Sequence, residues 1–291
     1  MMALSICLAL LAAIGNAGAS VLQRRAAADI GPGRPQARSS AVGALLRQRV
    51  WMWGAALLGL SGICQALALA TGPLAVVQPV MSSELLFTLV LGGVVFRRRP
   101  DRRTQLAFAA MAVGLAGFLA LAAPTGGRST APAAEWLWTG VCVAATVGLL
   151  IAVSVRLPSA PRAAVVGTAT AIGFALTAAL MKDALGRLPD GVGALLSTWQ
   201  PYAAVVLGLG SFVLLQVALR AGSLAASQPA LTLGDALLSV VLGVVLFEEH
   251  VQLGIRAVFE VFALGLLFWG CLQLARSPLV TEGGEGGAEK W

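Results

Sequence analysis

Nine apolar runs, each close to the length that carries a helix across a lipid bilayer, divide the chain: 3–22, 51–70, 73–96, 105–123, 136–155, 163–181, 199–219, 224–247 and 254–275. A helix rises about 1.5 Å per residue, so about 20 apolar residues cover the hydrocarbon core. Within that core every backbone N–H and C=O has to be bonded inside the protein, which leaves helices or closed barrels, and runs of this length are helical. The expected fold is therefore all-α, a polytopic membrane protein of about nine transmembrane helices. Composition agrees. Hydrophobic residues make up 58% of 291 and charged residues only 11%, with a mean hydropathy of +0.86. A soluble domain of this size could not bury that much apolar surface.

Two regions repeat one pattern. Gln65, Gly72, Leu74-Ala75, Gln78-Pro79, Glu84, Gly92 and Phe96 are matched by Gln216, Gly222, Leu224-Ala225, Gln228-Pro229, Asp235, Gly243 and Phe247, at an offset of 150 or 151. Ala13-Ile14-Gly15-Asn16-Ala17 also resembles Ala171-Ile172-Gly173-Phe174-Ala175. Runs one to four then match runs six to nine, with the fifth as a connector. Matching runs are five apart, an odd number, so the copies point in opposite directions across a membrane, as in the inverted-topology repeats of secondary transporters. The expected organisation is a first repeat over 1–123, a connector over 124–156, a second repeat over 157–277 and a tail over 278–291. The tail has no apolar period and is expected to be disordered. The segment 23–50 is the one long polar connection.

Basic residues orient the chain. With nine spans, one side receives 23–50, 97–104, 156–162, 220–223 and the tail, which together hold 16 of the 20 Lys and Arg; the other side receives Arg128, Lys182, Arg187 and Arg256. Positive residues favour the cytoplasm. The amino terminus is therefore expected outside and the carboxyl terminus in the cytoplasm, in the cell membrane. The first run is followed, not preceded, by Arg24-Arg25, the reverse of a secretory signal, so it reads as a retained helix. The net charge of +7 is explained by these short loops and does not point to nucleic acid. The cluster Arg97-Arg98-Arg99…Arg102-Arg103 is read as a topology and anionic-lipid determinant.

The motif residues resemble the drug/metabolite transporter superfamily of EamA-like proteins. Ala218-Leu219…Gly222-Ser223-Leu224…Pro229…Leu242-Gly243…Phe247-Glu248 follows that family's pattern of a small-residue turn, a helix with an early proline and a Leu-Gly…Phe-Glu close. The first half reads Ala68-Leu69…Gly72-Pro73-Leu74…Pro79…Leu91-Gly92…Phe96 and then departs with Arg97, where an acid is common in the family. Many members have ten helices, against nine runs here. Trp51…Gly54, Val77-Gln78-Pro79 and the nine-run layout are similar to the NIPA-like magnesium transporter group. The resemblance implies transport by alternating access of a small solute or cation, without naming the substrate.

Glu84 and Asp235 lie near the middle of their runs. A charge at that depth costs roughly 2.5–3.5 kcal/mol on insertion scales, and neither acid has a cationic neighbour at helical spacing. Binding a proton or cation would relieve the cost; so would an arginine from another helix, in a purely structural pair. Gln228, Thr232, Asp235 and Ser239 follow steps of 4, 3 and 4 and share one helix face. Glu84 and Thr88 share a face as well, with Gln78 and Ser82 to one side. Such a stripe faces a cavity or makes interhelical hydrogen bonds, worth about 1 kcal/mol each. Pro79 and Pro229 each remove a backbone donor near a helix start. They are the candidate helix breaks, freeing the carbonyls of Ala75 and Ala225 or unwinding the residues there; the alternative is a tolerated kink or a proline within the first turn. Gln65, Gln216 and Asn16 are further candidate ligands. Glu260 is paired locally with Arg256 in this reading. Lys182-Asp183 and Glu248-Glu249-His250, at helix ends, are expected to be solvated.

Cys7, Cys64, Cys142 and Cys271 stand alone in apolar runs, without metal or redox spacing. No nucleophile–base pair, phosphate loop or room for an ATPase domain is present, so an enzyme is not expected and no cofactor is called for; which metal, if any, binds is open. The expected partners are the lipid bilayer and a small-molecule or cation substrate, and a homodimer is left open. The leading reading is a secondary transporter. The alternatives are a magnesium or other divalent-cation pathway and a membrane scaffold subunit that transports nothing.

Overall fold

Proline starts three of the helices. Pro73, Pro132 and Pro158 each occupy the N-cap in extended backbone, with φ of −65°, −64° and −61°. A residue without an N–H costs nothing at a helix start, where that donor has no intrahelical partner. The computed structural model describes residues 2–28, 48–95, 102–121, 127–221, 224–249 and 255–275, and among them there is no strand. Helix α1 spans Met2–Ala28 and α2 spans Arg49–Thr71. The third run forms α3, Leu74–Met81, and α4, Glu84–Val95. Then come α5, Arg102–Leu121, α6, Ala133–Ser154, and α7, Ser159–Leu185. A 3₁₀ turn, Leu188–Asp190, and the short α8, Val192–Leu196, lead to α9, Gln200–Ala221, α10, Leu224–Phe247, and α11, Ile255–Ala275. The polar connection 29–47, Arg97 to Arg99, His250 and the tail from 276 lie outside the described residues, as do the side chains of Gln228, Pro229, Arg256, Glu260 and Cys271.

Two helix-break expectations are corrected. The third run does break, but at Ser82–Ser83, beyond Pro79, which sits inside α3. The Ser83 and Leu85 amides turn to the carbonyls three residues back, of Val80 and Ser82. The Ser82 hydroxyl reaches the Gln78 carbonyl at 3.4 Å. A serine hydroxyl bonded back to the carbonyl four residues before it bends a helix, and Ser82 does so at the break. In the second half α10 runs unbroken through Pro229. A proline at its sixth residue removes one bond, to the carbonyl of Ala225 in the first turn, and the rest of the ladder carries the helix on.

α1 packs along α2, α7 packs along both α9 and α10, α5 packs on α11, and α3 packs on α10. Ala9, Leu69, Val77, Val80, Met111, Ala175 and Phe247 lie in the core they share. Small residues set the closest approaches. A Cβ on Gly114 of α5 would lie 2.4 Å from the backbone nitrogen of Leu267, and one on Gly270 of α11 would lie 2.6 Å from that of Met111. The two helices therefore touch backbone to backbone at both positions. Gly15 of α1 faces Ser61 of α2, and Gly173 of α7 faces Ser211 of α9.

Among the described residues, six segments are long and apolar enough to cross a membrane: those of α1, α2, α3 with α4, α6, α7 and α9. Gly234–Phe247 of α10 is a shorter apolar stretch. The outer faces are oily, with Trp138 of α6 71% exposed and Val206 of α9 72% exposed, a surface suited to hydrocarbon and not to water.

Gly114→Ala and Gly270→Ala should each destabilise the protein by about 1–3 kcal/mol, the range for overpacking. Gly59→Ala on α2, which would meet nothing within 4 Å, should be neutral. Thermal unfolding of the three purified variants compares them directly.

Candidate functional site

Three helices build the first half of the site. Asn16 of α1 donates from Nδ2 to Oε2 of Glu84 at 3.1 Å. Ser61 of α2 lies on the other side of that amide, with Oγ 2.7 Å from Asn16 Oδ1 and 2.6 Å from the carbonyl oxygen of Ala12. Gly15 lets α2 come this close, since a Cβ there would already lie 3.0 Å from Ser61 Cβ. The break at Ser82–Ser83 makes Glu84 the first residue of α4. Of the residues expected here, Asn16 and Glu84 are thus brought together, and Ser61 is an addition that the pattern of acids and amides did not single out. Its signal was its place four residues before Gln65, much as Ser211 precedes Gln216 by five. Gln78 is buried, while Gln65, Thr88 and Gln216 are half-buried.

The second half is built differently. α10 is continuous, so Thr232, Asp235 and Ser239 keep the shared face that their spacing implies. Asp235 Oδ1 and Ser239 Oγ are buried with no hydrogen-bond partner among the described residues. Gly234 presses α10 against Ala171 of α7, where a Cβ would come within 2.8 Å. The residue on α7 that matches Asn16 in the repeated pattern is Phe174, which has no amide to offer. No hydrogen bond or ion pair joins Asp235 to Glu84, or either acid to a Lys or Arg, among the described residues. Neither acid lines the apolar groove of about 320 Å³ between α6, α7 and α10, which is walled by Trp138, Cys142, Ile172, Leu238, Leu242 and Val245.

The expectation that Lys182, Asp183 and Glu249 are solvated is corrected: all three are buried, with exposures of 8%, 0% and 2%. Glu249, just past α10, accepts the backbone N–H groups of Leu74 at 2.7 Å and Ala75 at 2.9 Å. These are the first two residues of α3, whose unpaired donors and dipole favour an anion. Lys182 Nζ lies 3.1 Å from Glu249 Oε1, donates to the carbonyl of Gly72 at 2.7 Å, and sits 5.2 Å from the centre of the Phe247 ring.

A second buried carboxylate lies one residue on. Asp183 accepts from Trp136 Nε1, from the Ala131 N–H at 3.1 Å and from Arg187. Loop 127–132 is tied to the same end of the bundle. The Arg128 N–H donates to the Phe247 carbonyl at 2.7 Å and its Nε to that of Leu246 at 2.9 Å, while the guanidinium pairs with Glu135 and lies 3.4 Å from Glu248. The hydrogen bond to Glu135 holds the Arg128 guanidinium pKa above its ordinary value. Glu248 itself is exposed and has a positive φ of 52°. Four segments far apart in sequence are thereby closed onto one another at one end. The sequence signal was faint, a lysine at the end of an apolar run and the acid that follows the Phe-Glu close.

Removing one member of a buried ion pair costs about 3–5 kcal/mol, because the other charge is left uncompensated. Glu249→Ala and Lys182→Met should each fall in that range. Lys182→Met with Glu249→Gln should recover part of the loss, a non-additivity that a double-mutant cycle on thermal or denaturant unfolding reads out. Additive losses would show that the pair is not coupled.

The chain is 28% identical to an uncharacterized protein of Corynebacterium glutamicum over 253 residues, which cover 86% of each chain. No family model matches the chain, and no solved structure does.

Proposed function

We propose that the chain is a secondary transporter of the drug/metabolite type, a multi-pass protein of the cell membrane that crosses it nine times and moves a small solute or cation by alternating access. One observation carries the reading. Each half sets a carboxylate at the matching position inside the bundle, and neither is neutralised by a Lys or Arg among the described residues. A scaffold that carried acids at this depth would pair them with cations or hold them permanently protonated, since a buried charge without a partner is costly. A transporter needs at least one acid free to take up a proton or a cargo cation.

The packing supports the inverted repeat behind this reading. α1 meets α2 through Gly15 and Ser61, and α7 meets α9 through Gly173 and Ser211. α3 packs on α10 and α5 on α11, the two contacts that a two-fold axis between the halves would pass through. The topology has independent support. The turn at 72–73, loop 127–132, the end of α7 and the end of α10 fall on one side of the membrane in the nine-span count, the side expected to be external. They are also the segments bonded together around Glu249, Asp183 and Arg128. In this arrangement the outer end is the closed one, the amino terminus lies outside and the carboxyl terminus in the cytoplasm.

Glu84→Gln and Asp235→Asn keep size and remove charge. Both variants should fold and should lose substrate-driven flux in reconstituted vesicles, Asp235→Asn the more completely. Candidate cargoes are found first by thermal stabilisation across metal ions, amino acids and organic cations. Normal flux in both variants would remove the acids from the mechanism. For orientation, a cysteine at 127 should react with an impermeant thiol reagent in intact cells, and one at 100 should be shielded; the reverse pattern would invert the topology.

A further inference from the structure

The geometry points to a proton-binding site made of Glu84, Asn16 and Ser61, in which the Asn16 amide turns over when Glu84 takes up a proton. The inference rests on the transport reading only for its physiological purpose; the site itself follows from the three side chains. It names a proton as the ion that this half of the protein handles.

With Glu84 ionised, the bonds run in one direction. The Ser61 hydroxyl donates to Asn16 Oδ1, and Asn16 Nδ2 donates to Glu84 Oε2. A carboxylate only accepts, so the amide has to present its nitrogen. With Oε2 protonated, that arrangement sets two donors face to face. A half turn of the amide about its Cβ–Cγ bond removes the conflict. Oδ1 then accepts from the new Glu84 O–H, and Nδ2 donates to Ser61 Oγ. The hydroxyl donates to the Ala12 carbonyl, already 2.6 Å away. Each state satisfies these groups with the same heavy-atom positions. The step forms one O–H bond on Glu84 as one O–H bond of a hydronium ion breaks and leaves water, breaks no covalent bond in the protein, and moves no backbone.

The elements around the site make a proton the fitting ligand. The charged residues on the helices packed against α4 are Arg24 and Arg25 near the end of α1 and Arg102 and Arg103 at the start of α5. Arg24 is eight residues beyond Asn16, about 12 Å along the helix, and Arg102 and Arg103 are exposed. α3 and the rest of α4 carry no charge. No group of three or more His, Cys, Asp or Glu residues that could hold a metal occurs among the described residues. Among the described residues, the hydrogen-bond partner of Glu84 is a single amide that can serve either as donor or as acceptor.

Asn16 is the only asparagine in the chain, so the test is specific. The protein labelled with ¹³C and ¹⁵N asparagine, in lipid nanodiscs, reports one side-chain amide by NMR, while infrared difference spectra report carboxyl protonation. The expected result is a carboxyl band that grows on acidification and vanishes in Glu84→Gln. The Asn16 amide and carbonyl signals should move with the same midpoint, and stay still in that variant. Ser61→Ala strands the N–H of the turned amide, a larger loss than that of one bond to its oxygen. It should weaken proton uptake about threefold or more, roughly half a pH unit on the scale where ten-fold is one unit. An amide that stays still while the carboxyl titrates would overturn the proposal, because the proton would then sit on the other oxygen. A carboxyl that never titrates while the protein is folded would overturn it too. Titration without flux in vesicles would leave this site standing and remove the transport reading; flux alongside a silent Glu84 would do the opposite.

Discussion

The Glu249 carboxylate at the start of α3 is the contact on which the closed end of the molecule depends. A helix beginning at Leu74 inside the protein leaves amide donors with no water to bond, and a proline at the N-cap offers them no side-chain acceptor. Glu249 supplies both oxygens to them. The carboxylate then needs a cation in turn, and Lys182 provides it while also satisfying the Gly72 carbonyl. Each group is buried at the expense of its hydration, and each is tolerable only because the others are present. One short network thereby joins the α2–α3 turn, α7 and the end of α10.

The same logic separates the two acids of the proposed transport path. Matching positions carry Glu84 and Asp235, yet their surroundings differ through one neighbour. Asn16 gives Glu84 an amide, and Ser61 orients that amide. Phe174 stands where the second half would need its asparagine, and Asp235 Oδ1 is left without a partner among the described residues. A duplicated chain with identical sites would respond identically at both. This chain holds one acid within a polar triad and leaves Oδ1 of the other without a partner among the described residues.

The third run shows how local chemistry redirects a helix that hydrophobicity alone would keep straight. Residues 73–96 are apolar enough to read as one span, and proline was the obvious place to break it. The chain breaks at the serine pair instead, where the Ser82 hydroxyl reaches back to the Gln78 carbonyl. Pro229, the partner of Pro79 in the repeat, lies in a helix with no such pair after it, and that helix continues.

The sequence by itself determined the helical class and where the apolar helices lie along the chain, though not the break inside the third run, because a 20-residue apolar run has few ways to bury its backbone polar groups. It also marked Asn16, Glu84, Asp235 and Ser239, since polar groups at the centre of such runs are costly enough to stand out. It did not reveal Ser61, whose hydroxyl is unremarkable in a run of Gly, Leu and Ala until α1 lies against it. Lys182 and Glu249 looked like solvated helix ends because their partners are the backbone of a turn more than a hundred residues away in the chain. Hydrophobic periodicity is a local property and can be read locally. Which buried charge meets which backbone donor depends on how helices distant in sequence are packed, and only the tertiary structure decides that.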